Sequence, residues 1–234
     1  MDRQGNKYTF LYASVMVIVV ATVLAFISEA LSPIQKKNEE EAKMIDILRS
    51  VNIESTTADV AEKYNKYIGN KVFIVNYEGE RQETDAQTAF NIDLSKEVRK
   101  PLSDRQYPVY ECHLDEGEIK YILPVRGKGL WGPIWGYIAL NEDKNTIYGT
   151  TFDHKGETPG LGAEIANQAF QQQFVGKTIF NEGGELVSID VVKGGAPDDA
   201  PHGVDAISGG TITSQGVENM LMDYFSGYEA FLKK

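Results

Sequence analysis

The chain has 234 residues, 42% of them hydrophobic, which suits one membrane segment plus one soluble domain of ordinary size. A formal net charge of −11 argues against nucleic acid as a partner and against docking on anionic lipid headgroups. The single cysteine, Cys112, rules out an internal disulfide and an iron–sulfur cluster held by this chain's own thiolates; the expected role for it is that of a small buried hydrophobe.

Residues 1–7 read as a short leader. Tyr8 to Ser28 then runs without a charge, and the pattern predicts a transmembrane helix over 8–31, since a bilayer core needs about 20 apolar residues in a helix. A cleaved signal peptide would have a shorter apolar core and a small-x-small site. This run ends Phe26-Ile27-Ser28-Glu29, so a retained anchor is expected, and no cysteine directly follows it that could carry a lipid. Arg3 and Lys7 precede the helix while Lys36, Lys37 and Lys43 follow it, so counting cations leaves orientation open.

Pro33 is expected to close the membrane helix. Lys36 to Val51 reads as a polar juxtamembrane helix with Met44, Ile47, Leu48 and Val51 on one face, inside a linker of 32–56. The soluble domain is expected to occupy 57–234. Within it, a short helix starts at Thr56 or Thr57 and ends at Tyr67, a strand covers Lys71 to Tyr77, and Glu78-Gly79-Glu80 turns. Glu80 to Lys100 is polar and weakly patterned, an excursion from the fold. Ile119 to Val125, Ile134 to Leu140, Thr146 to Thr151 and Glu185 to Val191 read as strands. The sum is an α+β domain, an antiparallel sheet with helices packed beside it.

Three loops carry the chemistry. The first, Gly127-Lys128-Gly129-Leu130-Trp131-Gly132-Pro133-Ile134-Trp135, holds both tryptophans of the chain. Trp131 is placed either beside a ligand heterocycle or in the core; for Trp135 a core or sheet-corner position is expected. The second, His154-Lys155-Gly156-Glu157-Thr158-Pro159-Gly160-Leu161-Gly162, is dense in turn residues and precedes a helix expected near Ala163. Local capping is the plainer role for Glu157 and Thr158. His154 has no ligand partner at metal spacing and is not read as a metal site.

The third loop, Ser208-Gly209-Gly210-Thr211-Ile212-Thr213, precedes an amphipathic helix carrying Val217, Met220, Leu221, Tyr224 and Phe225 at i, i+3, i+4, i+7 and i+8. Thr213 or Ser214 is the expected N-cap and Ser226-Gly227 the expected stop. A helix start presents unpaired N–H groups and about half a positive charge, which suits a phosphate. No lysine follows the glycines, so this is not a nucleotide P-loop. The plain alternative is a capped helix that binds nothing.

Together and in this order, the three loops resemble the C-subunit family of the bacterial sodium-translocating NADH:quinone oxidoreductases, and more distantly the G subunit of the Rnf ferredoxin-linked complex. The family pattern Asp-x-x-Ser/Thr-Gly-Ala-Thr-x-Thr reads here Asp205-Ala206-Ile207-Ser208-Gly209-Gly210-Thr211-Ile212-Thr213, with Gly210 in place of alanine and a looser loop expected there. The resemblance implies FMN esterified through its phosphate to Thr211, with Thr213 the rival hydroxyl. It implies further flavin contacts from Ser208, Gly209, Gly210, Glu157, Thr158, Gly160, Leu161, Gly162, Leu130 and Trp131. Neither catalytic nor metal-ligating residues are implied. The implied partners are a flavin transferase during maturation, membrane lipid, a second flavin subunit and iron–sulfur-bearing subunits of one respiratory complex. The implied location is the bacterial inner membrane, single-pass, with the flavin domain periplasmic. No complete NADH:ubiquinone reductase activity is expected from this chain alone. A membrane-anchored module binding a phosphate ligand without redox chemistry is the competing class; a free-standing reductase would need a nicotinamide fingerprint, and no G-x-G-x-x-G follows a strand.

Overall fold

The computed structural model describes residues 5–234. Met1 to Gln4, including Arg3 of the expected leader, lie outside the described residues. The chain divides into two compact units, the first ending at Lys43 and the second running Met44–Lys234.

Helix α1 runs Asn6–Ser50 without a break and contains Pro33. Proline removes one backbone hydrogen bond, but the helix formers on both sides, from Glu29-Ala30-Leu31 to Lys36-Lys37, carry the helix through. Pro33 therefore does not end it. The apolar stretch of α1 is long and apolar enough to cross a membrane, and its residues are exposed within this chain.

The second unit is α+β. Its main sheet has six strands in the order β2-β1-β3-β4-β5-β6, every neighbouring pair antiparallel. These are β1 (Val72–Val75), β2 (Arg81–Gln82), β3 (Tyr107–His113), β4 (Ile119–Lys128), β5 (Pro133–Leu140) and β6 (Ile147–His154). Helices cover both faces. On one face α6 (Thr211–Leu232) packs Val217, Leu221, Tyr224 and Tyr228 against Phe73, Val109, Leu123, Val125 and Ile138. On the other, the end of α1 (Ile47, Leu48), α2 (Val60–Tyr67) and α3 (Ala86–Phe90) cover Val72, Ile74, Tyr110, Ile122 and Tyr137. Alternate residues of one strand thus enter different cores.

Several boundaries differ from expectation. The short helix α2 starts at Val60, because Asp59 takes the Thr56 amide and hydroxyl in a turn first. The supposed excursion folds: α3 and α4 (Leu94–Glu97) are capped by Asp85 and Asp93, and Ala89 and Phe90 are buried against the sheet. Of Glu185 to Val191 only the end is strand; β7 (Asp190–Val192) follows Ser188, whose φ is +62°. It pairs in parallel with β8 (Gly203–Asp205). The helix expected near Ala163 is a broken series: a 3-10 turn Gly162–Ala166, α5 (Gln168–Gln171) and a second 3-10 turn Gln172–Phe174. Extended backbone at Asn167 interrupts it, and the buried Gln171 side chain donates to the carbonyls of Phe152 and Ile165.

Candidate functional site

The site forms where the N-terminus of α6 meets the end of β4 and the loop after β6. Gly216 in the second turn of α6 lies so near the Lys128 carbonyl that a Cβ there would sit 2.5 Å from that oxygen. This close approach sets the start of the helix beside the Trp131 loop. Two hydroxyls expected to cap α6 have other duties. Thr213 is buried and its O–H donates to Glu157 Oε2 at 2.6 Å. Ser214 Oγ accepts from the Ile207 amide at 3.0 Å. The helix therefore starts earlier, with Gly210 as N-cap and Thr211 as its first residue. The first rung of its ladder runs from the Ser214 amide to the Gly210 carbonyl, which leaves the amides of Thr211, Ile212 and Thr213 ahead of it.

The two candidate threonines have opposite surroundings. Residues two apart on a helix point roughly 200° apart. With Thr213 turned inward, Thr211 and Ile212 are exposed. Ser208 and Gly209 are exposed beside them, and Gly209 adopts φ +73°, a conformation suited to glycine. A Cβ at Gly209 would lie 2.6 Å from Leu161 Cδ2, so the second loop touches the third here.

Glu157 sits at the centre rather than at the surface. It is 5% exposed. Its Oε1 accepts from the Trp131 amide at 2.8 Å, its Oε2 from Thr213. Burial opposes its ionisation, yet the hydrogen bonds from Thr213, Trp131 and Gly132 outweigh burial and hold the carboxyl below its ordinary value. Local capping does not describe it. Thr158, by contrast, does work locally: its carbonyl accepts from the Leu161 and Ala163 amides while its side chain is exposed. Gly160 has φ +74°, and its amide donates to Glu164. His154 Nδ1 accepts from the Glu157 amide, a turn contact.

Leu130, Trp131, Leu161 and Ile212 are 47%, 70%, 41% and 60% exposed. Four large apolar side chains, drawn from the same three loops as the exposed Thr211, thus stand in solvent. Trp131 is not a core residue. Trp135 is half-buried in β5, on the sheet face away from α6, with the Arg126 guanidinium 5.9 Å from its ring.

Sequence reasoning missed Lys193. A cleft of about 420 Å³ beside Thr211 is lined by Lys193, Gly194, Gly195 and the Asp205–Gly209 loop. Lys193 carries no motif and lies far upstream; the parallel pairing of Val192 with Asp205 brings it there. Asp205, the first residue of the family pattern, anchors that crossing: it accepts from the Ala196 amide at 2.7 Å.

These loops, gathered at the mouth of one helix, define a class. Residues 129–226 match the family described as FMN-binding domain, a span that begins at the first loop and ends within α6. The chain belongs to the family formed by the C subunit of the Na(+)-translocating NADH-quinone reductase. It is 33% identical to that subunit from Neisseria meningitidis serogroup A, over all of this chain and 95% of the relative. It is 31% identical to the Vibrio alginolyticus protein, over 92% of this chain and 88% of the relative. Among solved structures, the C subunit of the same reductase from Parabacteroides distasonis superposes with a TM-score of 0.79 at 46% identity, covering 87% of this chain and 98% of the other. The NqrC structure from Shewanella oneidensis gives 0.69 at 26% identity, covering 85% and 97%.

Proposed function

We propose that this chain is the membrane-anchored flavin subunit of a sodium-pumping NADH:quinone oxidoreductase and holds FMN through a phosphoester to Thr211. The observation that carries the assignment is the contrast between the two threonines: Thr211 offers an exposed hydroxyl at the first position of a long helix, while the Thr213 hydroxyl is buried on Glu157. The residues fit the group. The Thr211–Thr213 amides and the helix dipole favour a phosphate, and Lys193 adds a cation across the cleft. Leu130, Trp131, Leu161 and Ile212 give an otherwise solvent-exposed apolar surface to a flat heterocycle. Ser208, Gly209, Gly210, Thr158, Gly160 and Gly162 shape the backbone around it. When bound, FMN supplies reversible electron transfer; the chain binds and orients it. Thr211 is then an anchor, and a covalent bond retains the cofactor in a compartment that cannot resupply it.

In this reading residues 8–31 cross the bacterial inner membrane once, 1–7 stay cytoplasmic, 32–56 connect, and 57–234 form the periplasmic flavin domain. Support comes from the apolar stretch of α1 and from family membership. The electron partners are other membrane subunits of the same complex, a second flavin subunit and iron–sulfur-bearing subunits, and a flavin transferase attaches FMN beforehand. The test is co-production of the full chain with a flavin transferase. In-gel flavin fluorescence should coincide with this chain and vanish in Thr211→Ala. In Thr213→Ala a weaker band should remain, and mass spectrometry of the peptide spanning 208–214 should place the adduct on residue 211. An intact mass equal to the bare polypeptide would favour the non-redox module instead.

A further inference from the structure

We propose that Glu157 is the positioning residue of the flavin site: its carboxylate locks the three loops together and turns Thr211 outward, without itself touching the cofactor. This rests on the reading of Thr211 as the attachment point.

Both carboxylate oxygens are occupied by protein donors from the two other loops, Trp131 on one side and Thr213 on the other. The residue is buried, so it presents no oxygen to a ligand lying over Trp131 or Leu161. The space it fills explains two glycines at once. A Cβ at Gly129 would lie 2.6 Å from Glu157 Oε1. A Cβ at Gly162 would lie 2.5 Å from Oε2 and 2.5 Å from Thr213 Oγ1. Gly129, Glu157, Gly162 and Thr213 therefore form one interlocking unit, although they are spread over three motifs. Holding Thr213 inward fixes the rotation of the first turn of α6, and the same rotation presents Thr211 to solvent. The carboxyl is held below its ordinary value, so it is ionised at neutral pH, and hydrogen bonds to an ionised acceptor are roughly twice as strong as neutral ones.

The experiment is a variant series in the full-length chain, co-produced with the flavin transferase and scored as flavin fluorescence per protein. Glu157→Gln retains an acceptor for the Trp131 amide and turns its own amide toward the Thr213 oxygen; it should label within about twofold of the unmodified sequence. Glu157→Ala leaves the buried Thr213 hydroxyl and the Trp131 amide without their acceptor, and labelling should drop about tenfold or more. Glu157→Asp is too short to reach both donors and should fall between. Amide exchange on unlabelled protein gives a readout independent of the flavin: the Trp131 amide should exchange faster in Glu157→Ala while amides of the β4–β5 ladder keep their protection. Thr213→Val removes the donor and leaves Glu157 in place, so it covers the case in which Glu157→Ala does not accumulate; it too should label poorly, with its adduct on Thr211. Wild-type labelling of Glu157→Ala would overturn the proposal, and so would a Gln variant that labels as poorly as Ala while its Trp131 amide keeps full protection, which would mean that the charge acts on the cofactor directly. If the unsubstituted chain itself carries no adduct on Thr211, the reading beneath falls, a result distinct from any of these.

Discussion

At Gly210 the chain departs from the alanine of the family pattern, and the reason is space rather than backbone freedom. Its φ of −102° and ψ of 29° are open to any L residue. A Cβ there would instead lie 2.9 Å from Ile207 Cγ2 and 3.1 Å from Ile207 Cβ. The β-branch of Ile207 is stiff at χ1 and cannot swing away freely. Gly210→Ala is therefore expected to destabilise by roughly 1 kcal/mol, the low end of overpacking costs. For a domain of this size that lowers the melting temperature by about 2–4 °C. Ile207→Leu moves the branch one carbon outward, so the double variant should recover most of the loss. Thermal melting of the two single variants and the double checks this. Additive losses would show that Ile207 is not the obstacle.

At the scale of elements, α6 shows why the helix outlasts its apparent stop. Ser226-Gly227 looks like a terminus, yet α6 continues to Leu232 because Tyr228, Phe231 and Leu232 carry the buried stripe onward. Gly227 is there for the Tyr107 ring: a Cβ would lie 2.3–2.4 Å from three of its atoms, and that ring is held by a bond from its hydroxyl to the Leu102 carbonyl at 2.7 Å. Helix propensity alone makes Gly→Ala worth about 1 kcal/mol of stabilisation. Here overpacking, about 1–3 kcal/mol or more, should win. Gly227→Ala is expected to lower stability in a denaturant titration, and a gain would refute the account. Elements with a strong local period, such as α6, β4, β5 and the apolar run of α1, are legible in the sequence, as are the three loops. What is not legible depends on partners distant in sequence. β3, with Tyr107 and Tyr110 entering opposite cores, has no alternation to betray it. The start of α6 escapes a local reading because Thr213 serves Glu157, a residue in another loop, and Lys193 reaches the site only through the parallel β7–β8 pair.

For the whole molecule, a sheet buried on both faces must also bury what its second layer of helices brings with it. Asp46, near the end of α1, is the costly case. Burial pushes its carboxyl from the ordinary 3.8 to about 6; Arg49 on the same helix pulls it down, and Asp153 on β6 pushes it further up. Arg49 reaches it at 3.2 Å, and Tyr137 on β5 packs against the same end of α1. Because the folded value lies above the unfolded one, the folded state binds the proton more tightly. The ionised group therefore costs stability at neutral pH, and the cost fades as pH falls from about 6 toward 4. Replacing it with asparagine removes the charge at every pH. Asp46→Asn should accordingly raise stability at pH 7.5 by something on the order of 1 kcal/mol, and the gain should shrink at pH 5. Thermal melts of the detergent-solubilised full chain at the two pH values test this. A variant no more stable than the parent at pH 7.5 would mean that the Arg49 pair, rather than burial, governs this carboxylate, and the expected pH dependence would then reverse.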